Sequence, residues 1–339
     1  MQLIFGTYTK GLFTSNLNPE TGQLTDPIKI SNLEEPTYFD LTTNQQLLTV
    51  GRIGQRGGVF NYKTEDHQPL LPLDQATTDG PTPVHVQVIN NLALVSNYQT
   101  GVGQIYQLTP DGQLALTDQF QRSGSSVLPQ QATSHVHFMT LAPDGRLLVL
   151  DLGTDEILTY DFDRSTGQLG NQVASFRTRP GFGPRQLYFD RHNSNDAYVL
   201  GELASQVAVL HYSSDTGTFT QRQLISTLPD DWIGNTGGGA IQLSADGQFL
   251  YASNRGHDSI VIYQIQRIST GPHLQLIDII SCHGVFPRDF CLTPDGQYLV
   301  VGNQKSSSVV TFWINNTTGR LTIIDKINVP EPVCVKVNA

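Results

Sequence analysis

Apolar and polar positions alternate in short bursts along this chain. Runs rich in β-branched and aromatic residues, such as Leu3-Ile4-Phe5 and Phe249-Leu250-Tyr251-Ala252, are soon cut off by Gly, Pro, Asn or Asp. Few segments carry the i, i+3, i+4 apolar spacing that a helix needs over three turns, so the pattern predicts an all-β chain.

The bursts recur. Each unit reads as a short strand, a Pro-Asp-Gly-type turn, a second apolar strand, a polar tip, a third strand ending in an aromatic residue, and a Thr-Gly-x-Leu turn. The second strand ends at Thr7-Tyr8, Gly51-Arg52, Asn97-Tyr98, Asp151-Leu152, Gly201-Glu202, Asn254-Arg255 and Asn303-Gln304, in steps of 44, 46, 54, 50, 53 and 49 residues. Turns keep the same beat, with Pro143-Asp144-Gly145, Ala245-Asp246-Gly247 and Pro294-Asp295-Gly296 before second strands. Thr21-Gly22, Thr166-Gly167, Thr216-Gly217 and Thr318-Gly319 follow third strands. A period of this length with four strands per unit predicts a seven-bladed β-propeller with four-stranded antiparallel blades, a single domain over residues 1–339. The chain starts with a second-type strand, Leu3 to Thr7, and ends with a first-type strand, Pro332 to Val337. Pairing of the C-terminal strand with the N-terminal strands is therefore expected to close the ring and remove an open edge.

Composition narrows the class. The 339 residues are 38% hydrophobic and 15% charged, with a formal net charge of −10 and a pI near 5.2. That argues for a globular core and against a nucleic-acid or anionic-membrane partner, which would call for a basic footprint. Cys282, Cys291 and Cys334 have no CxxC spacing, so buried thiols are expected rather than a zinc site or a disulfide framework. The N-terminus lacks a basic n-region and a long apolar stretch, and no run approaches a transmembrane span, so a cytoplasmic location is expected. The run Gly237-Gly238-Gly239 suits a close backbone approach near the axis and lacks the strand and helix context of a phosphate loop.

In a propeller the first strand of every blade lines the central channel, which brings distant residues together. Aligning the first strands predicts one ring with Arg185 and Arg288, and a second with Tyr38, His85, His137, Gln186 and Asp289. The ends of the second strands add Arg52, Glu202, Arg255 and Gln304. Guanidiniums and imidazoles beside a carboxylate, on an acidic chain, predict an anion pocket capable of proton transfer. His135 and His137, two apart on one strand, are expected to share a face. They have no acidic or third histidine partner in the pattern, so no metal is expected. His67, His192, His211, His257 and His273 fall in turns or outer strands and are expected at the surface. No Gly-x-Ser-x-Gly elbow occurs, which disfavours a serine nucleophile.

Several of these phrases together resemble the seven-bladed lactonase family. They are His135-Val136-His137, Asp151-Leu152-Gly153-Thr154-Asp155, Gly183-Pro184-Arg185, Gly201-Glu202-Leu203, Tyr251 to Ile260, Phe286-Pro287-Arg288 and Gly302-Asn303-Gln304-Lys305-Ser306. The resemblance implies a cofactor-free hydrolase of a small anionic sugar lactone or sugar acid derivative, with 6-phosphogluconolactone of the pentose phosphate pathway as the expected substrate. It places catalytic roles on His137, Arg185, Glu202 and Arg255, with Arg185 and Arg255 as the anion clamp and either His137 or Glu202 as the base. His85, His135, Gln186, Arg288 and Gln304 are expected to bind substrate. The chain departs from the family pattern at Gln186, where a histidine is usual, and at Ala240-Ile241-Gln242, where Glu-Ile-His is common. A lactonizing isomerase of the carboxymuconate type and a non-catalytic metabolite- or protein-binding propeller are the alternatives.

Overall fold

Short strands that are apolar on both faces bury themselves by stacking sheet upon sheet. The computed structural model, which describes residues 1–64 and 69–338, contains seven four-stranded antiparallel sheets. Six are built from strands consecutive in sequence. The other joins Pro332–Asn338 to Gln2–Thr7, Phe13–Asn16 and Ile28–Lys29, with Leu3 opposite Val337 and Phe5 opposite Val335. The C-terminal strand thus closes the ring as expected. Blades are counted below from this first one, in chain order.

Each apolar cluster spans two neighbouring blades. Phe138, Leu148, Leu150 and Ile157 of the fourth blade pack against Leu187, Val199 and Ala208 of the fifth. Leu3, Phe5 and Val335 of the first pack against Val300 and Val309 of the seventh. At about 1.5–3 kcal/mol per fully buried large aliphatic side chain, these faces supply the main attraction between blades. Carboxylates add direction at the outer edges: the backbone amides of Leu24, Leu114 and Leu169 donate to Asp325, Asp74 and Asp118 of an adjacent blade at 2.8, 2.7 and 2.8 Å. The repeated Thr-Gly turns are a backbone requirement, because Gly22, Gly167, Gly217 and Gly319 sit at φ of 73°, 73°, 70° and 70°. A Cβ there would cost about 1–2 kcal/mol.

The inner strands hold the feature that positions the site. One residue is bulged out of register in each of four blades: Val333 between Pro332 and Cys334, His137 between Val136 and Phe138, Arg185 between Pro184 and Gln186, and Arg288 between Pro287 and Asp289. A bulge re-aims its side chain, here towards the channel. His137 therefore stands in the ring of Arg185 and Arg288, and Phe138 takes the place expected for it beside His85 and Gln186. The reason lies in Asp151. Its Oδ1 accepts the backbone N–H groups of His135 at 2.8 Å and Gly153 at 3.1 Å, which holds His135 in the entry turn and starts the strand at Val136. The expected common face of His135 and His137 is lost for the same reason.

Other expectations resolve simply. Cys282, Cys291 and Cys334 are buried and unpaired. Gly237–Leu243 forms the inner strand of the sixth blade, and a Cβ on Gly239 would meet the Pro287 carbonyl oxygen at 2.4 Å. His192 and His273 are exposed, His211 and His257 are half-buried, and His67 lies outside the described residues. No helix among the described residues is long and apolar enough to cross a membrane.

Candidate functional site

Four inner strands are entered through a left-handed residue followed by proline: Glu35, Gly183, Phe286 and Glu331, at φ of 50°, 64°, 68° and 37°. Two of these entries are pinned by a carboxylate of the preceding blade. Asp155 accepts the Gly183 N–H at 2.7 Å, and Asp258 accepts the Phe286 N–H at 2.8 Å. Proline then fixes the next φ, and the bulged arginine follows. The local sequences Gly183-Pro184-Arg185 and Phe286-Pro287-Arg288 are thereby turned into two inward-aimed guanidiniums. Phe286 occupies its left-handed conformation with a side chain, a strain of about 1–2 kcal/mol that Gly183 avoids.

Glu202, at the end of its strand, is the hub. Its Oε2 accepts from Arg185 Nη1 at 2.5 Å and its Oε1 pairs with Arg255 Nη2 at 2.8 Å. The same arginines donate to backbone carbonyls of the glycine run, Arg185 Nε to Gly239 at 2.6 Å and Arg255 Nη2 to Gly238 at 2.7 Å. Those glycines let the strand approach closely enough to present its carbonyls. Burial by itself would raise the Glu202 carboxyl, but the charges of Arg255 and Arg185 overcome it and hold the group well below the usual carboxylate range. His137 Nε2 lies against Arg185 Nη1 and 3.9 Å from Glu202 Oε2, while its Nδ1 is buried with no hydrogen-bond partner. Burial, aided by Arg185, pushes the imidazole well below its ordinary value, so it is neutral at pH 7.

Arg288 differs from the other two arginines. It has no carboxylate partner among the described residues, and its guanidinium carbon lies 5.0 Å from the centroid of the Tyr8 ring. Burial brings its pKa down to about 10, which leaves it charged at neutral pH. With Arg185 and Arg255 it puts three guanidiniums around one ionised glutamate, an excess of positive charge at the channel mouth.

Two spaces meet here. A narrow chamber of about 20 Å³ is lined by Tyr8, His85, His137, Arg185 and Arg288 among others. A cleft of about 450 Å³ opens beside it between loops, lined by Glu202, Arg255, Phe286 and Lys305 among others. The Arg185–Glu202 ion pair lies where the two adjoin.

The remaining expected residues divide. His85 is buried at the chamber wall, its ring 4.4 Å from Tyr38 and 4.6 Å from Phe138, and burial lowers its pKa well below the ordinary value. His135 stacks on Tyr98 at 4.1 Å and hydrogen-bonds its carbonyl through Nδ1 at 2.8 Å, apart from the glutamate hub. Gln186 and Gln242 serve as bridges between blades. Gln186 Oε1 accepts the Ile241 N–H at 3.2 Å, and Gln242 accepts from Leu292 N–H at 3.2 Å and donates to the Phe290 carbonyl at 2.7 Å. Both departures from the family pattern thus fall on structural contacts. Gln304 Oε1 is buried and unpartnered. Arg52 is not brought to the hub. It pairs with Glu35 at 3.4 Å and donates from Nε and Nη2 to the Gly54 carbonyl at 2.9 and 2.6 Å. The expected clamp of Arg185 and Arg255 is already engaged by Glu202.

Sequence reasoning passed over Tyr8, Tyr98, Phe286 and Lys305. Tyr8 and Tyr98 stood at the same repeat position as Glu202 and Arg255, a usable signal. Burial, then the nearby Glu202 charge, pushes the Tyr98 hydroxyl up to about 12. Phe286 and Lys305 carried no signal of their own, because their meeting depends on the left-handed turn.

Comparison with known proteins agrees with this architecture. The profile of the family described as lactonase, 7-bladed beta-propeller, matches residues 2–337. A Lactococcus lactis subsp. cremoris protein described as uncharacterized is 38% identical over 98% of both chains. The protein named 6-phosphogluconolactonase from Bacillus subtilis is 33% identical over 98% of this chain and 96% of its own. A crystal structure of a Lactobacillus plantarum protein superposes with a TM-score of 0.94 at 35% identity, covering 99% of this chain and 98% of that one. With the fold and the full-length match in agreement, this chain belongs to the seven-bladed β-propeller lactonase family.

Proposed function

We propose that the chain hydrolyses a phosphorylated sugar lactone, 6-phosphogluconolactone, at the channel mouth by general-base catalysis. The name of the Bacillus subtilis relative supports this choice of substrate, which would place the reaction in the pentose phosphate pathway. The observation that carries the chemistry is the state of His137, a neutral imidazole facing Arg185 and Glu202. Glu202 is a poor base, since both oxygens are engaged by guanidiniums and its carboxyl is held far below the usual range.

A chamber of about 20 Å³ has room for roughly one water and none for a sugar. The lactone therefore rests at the mouth, and the nucleophilic water sits on the chamber side beside His137. In the reactive complex Arg185 Nη1 gives up His137 Nε2, and that nitrogen takes a proton from the water as its oxygen attacks the lactone carbonyl carbon. The carbonyl electrons move onto oxygen, where Arg288 supplies the uncommitted positive charge. Glu202, 3.9 Å from Nε2, stabilises the imidazolium so formed. Collapse of the tetrahedral species breaks the ring C–O bond, and His137 returns its proton to the leaving alkoxide, giving the open-chain hydroxy acid.

Freshly generated 6-phosphogluconolactone also hydrolyses spontaneously, so the test is the rate above buffer. Wild type is expected to accelerate it, and His137→Ala to lose about 10²–10⁴ in kcat with an unchanged circular dichroism spectrum. Wild type no faster than buffer, yet stabilised against heat by 6-phosphogluconate, would make the propeller a binding protein instead.

A further inference from the structure

The cleft beside the hub contains a cation that the mechanism above leaves unused. Lys305 is exposed, donates its backbone N–H to the Val285 carbonyl at 3.0 Å, and has no carboxylate partner among the described residues. Its ammonium lies 4.1 Å from the centroid of the Phe286 ring, and the guanidinium carbon of Arg255 lies 5.4 Å from the same centroid. One aromatic ring thus carries two cations, one from the hub and one from the outer lip. Cations are attracted to such a face, which orients a flexible lysine stem without neutralising it.

The acids of the cleft do not quench this charge. Glu202 is taken up by Arg185 and Arg255. Asp258 Oδ1 accepts the backbone N–H groups of Gly256 at 3.1 Å and Phe286 at 2.8 Å. Phe286 itself is held at φ 68°, where the equivalent residue of the fifth blade is Gly183. A strained non-glycine residue whose ring holds a lysine without a carboxylate partner beside a cleft suits a ligand that meets that lysine.

We infer that Lys305, on its Phe286 shelf, binds the distal phosphate of the substrate and so distinguishes phosphorylated from plain sugar lactones. The inference rests on the lactonase reading for the identity of the ligand. The exocyclic phosphate of a six-carbon lactone is carried on the substituent of the carbon bonded to the ring oxygen, so it projects from the ring of a lactone whose carbonyl faces the hub, and Lys305 stands on the cleft side of the Phe286 ring, 4.1 Å from its centroid. Lysine acts on phosphate as a point charge, so the effect on affinity is moderate and salt-sensitive.

Calorimetric titration with 6-phosphogluconate and with gluconate tests this without requiring turnover. Wild type is expected to bind 6-phosphogluconate at least about tenfold more tightly than gluconate, and Lys305→Met to lose most of that ratio. Lys305→Arg should restore it. Phe286→Gly, which can adopt the φ of Gly183 without strain, should fold and reduce the ratio by freeing the lysine. A wild-type ratio near one, or an undiminished ratio in Lys305→Met, overturns the assignment. A Lys305-dependent ratio in a protein that does not accelerate lactone hydrolysis would uphold the phosphate site and refute the lactonase reading. Lactonase activity with an unchanged ratio in Lys305→Met would do the reverse.

Discussion

The fifth and seventh blades enter the channel in the same way and end with arginines in opposite states. In both, a carboxylate of the preceding blade pins a left-handed residue, a proline follows, and a bulged arginine points inward. The difference is one residue on the neighbouring strand. Pro184 pairs with Gly201 and Pro287 with Asn303, so Glu202 and Gln304 occupy matching places. Arg185 meets a carboxylate there and becomes part of the scaffold. Arg288 has at the matching place a neutral amide whose Oε1 it does not engage, and it keeps its charge unpaired among the described residues. Whether a guanidinium at the channel is paired thus follows the residue at the end of the adjacent strand.

The sharpest way to break this comparison is to remove the shared carboxylate. Glu202→Ala leaves Arg185 and Arg255 buried without their counter-ion, which is expected to cost about 3–5 kcal/mol. Calorimetry should then show a melting temperature lower by on the order of 5–15 °C. An unchanged melting temperature would mean that the hub is not structural.

The converse change gives the seventh blade what the fifth has. Gln304→Glu should pair Arg288, leave stability within about 1 kcal/mol of wild type, and lower kcat/KM roughly 10²-fold by occupying the free cation. Undiminished turnover in that variant would show that Arg288 has no part in binding.

The smallest effect is on pH dependence. The His137 base must be neutral, and its pKa is depressed from 6.5, so the acid limb of kcat/KM should fall below pH 6.5 and be absent from the residual rate of His137→Ala. Stability should follow the same sign. The unfolded chain binds protons to His137 and His85 at higher pH than the folded one, so stability present above pH 6.5 is lost progressively on acidification. Glu202, depressed from 4.5, adds a further loss below that value. A limb centred above pH 6.5 would contradict the buried neutral state.

Much of this was legible in the chain because the repeat is strict. Left-handed turns demand glycine after threonine at fixed intervals, and the first strand missing from the N-terminal blade had to come from Pro332–Asn338. Repeat position alone brought Glu202 and Arg255 together, with Arg185 one strand away. What the sequence could not show depends on contacts across registers. The place of His137 is set by Asp151 capturing the His135 amide, and a one-residue bulge is invisible in a pattern of period two. Whether an arginine is free depends on which side chain faces it after the ring has closed. Gln186 and Gln242 read as missing catalytic histidines, yet their amides link inner strands.

The central claim is that the unpaired arginine acts on the ligand while the paired ones hold the site. Initial rates on fresh 6-phosphogluconolactone, measured side by side for wild type and Arg288→Met, test it directly. The account predicts a wild-type rate well above buffer and a fall of roughly 10²-fold in kcat/KM for the variant at an unchanged melting temperature. Equal rates for the two proteins, or a wild-type rate equal to that of buffer, would contradict it.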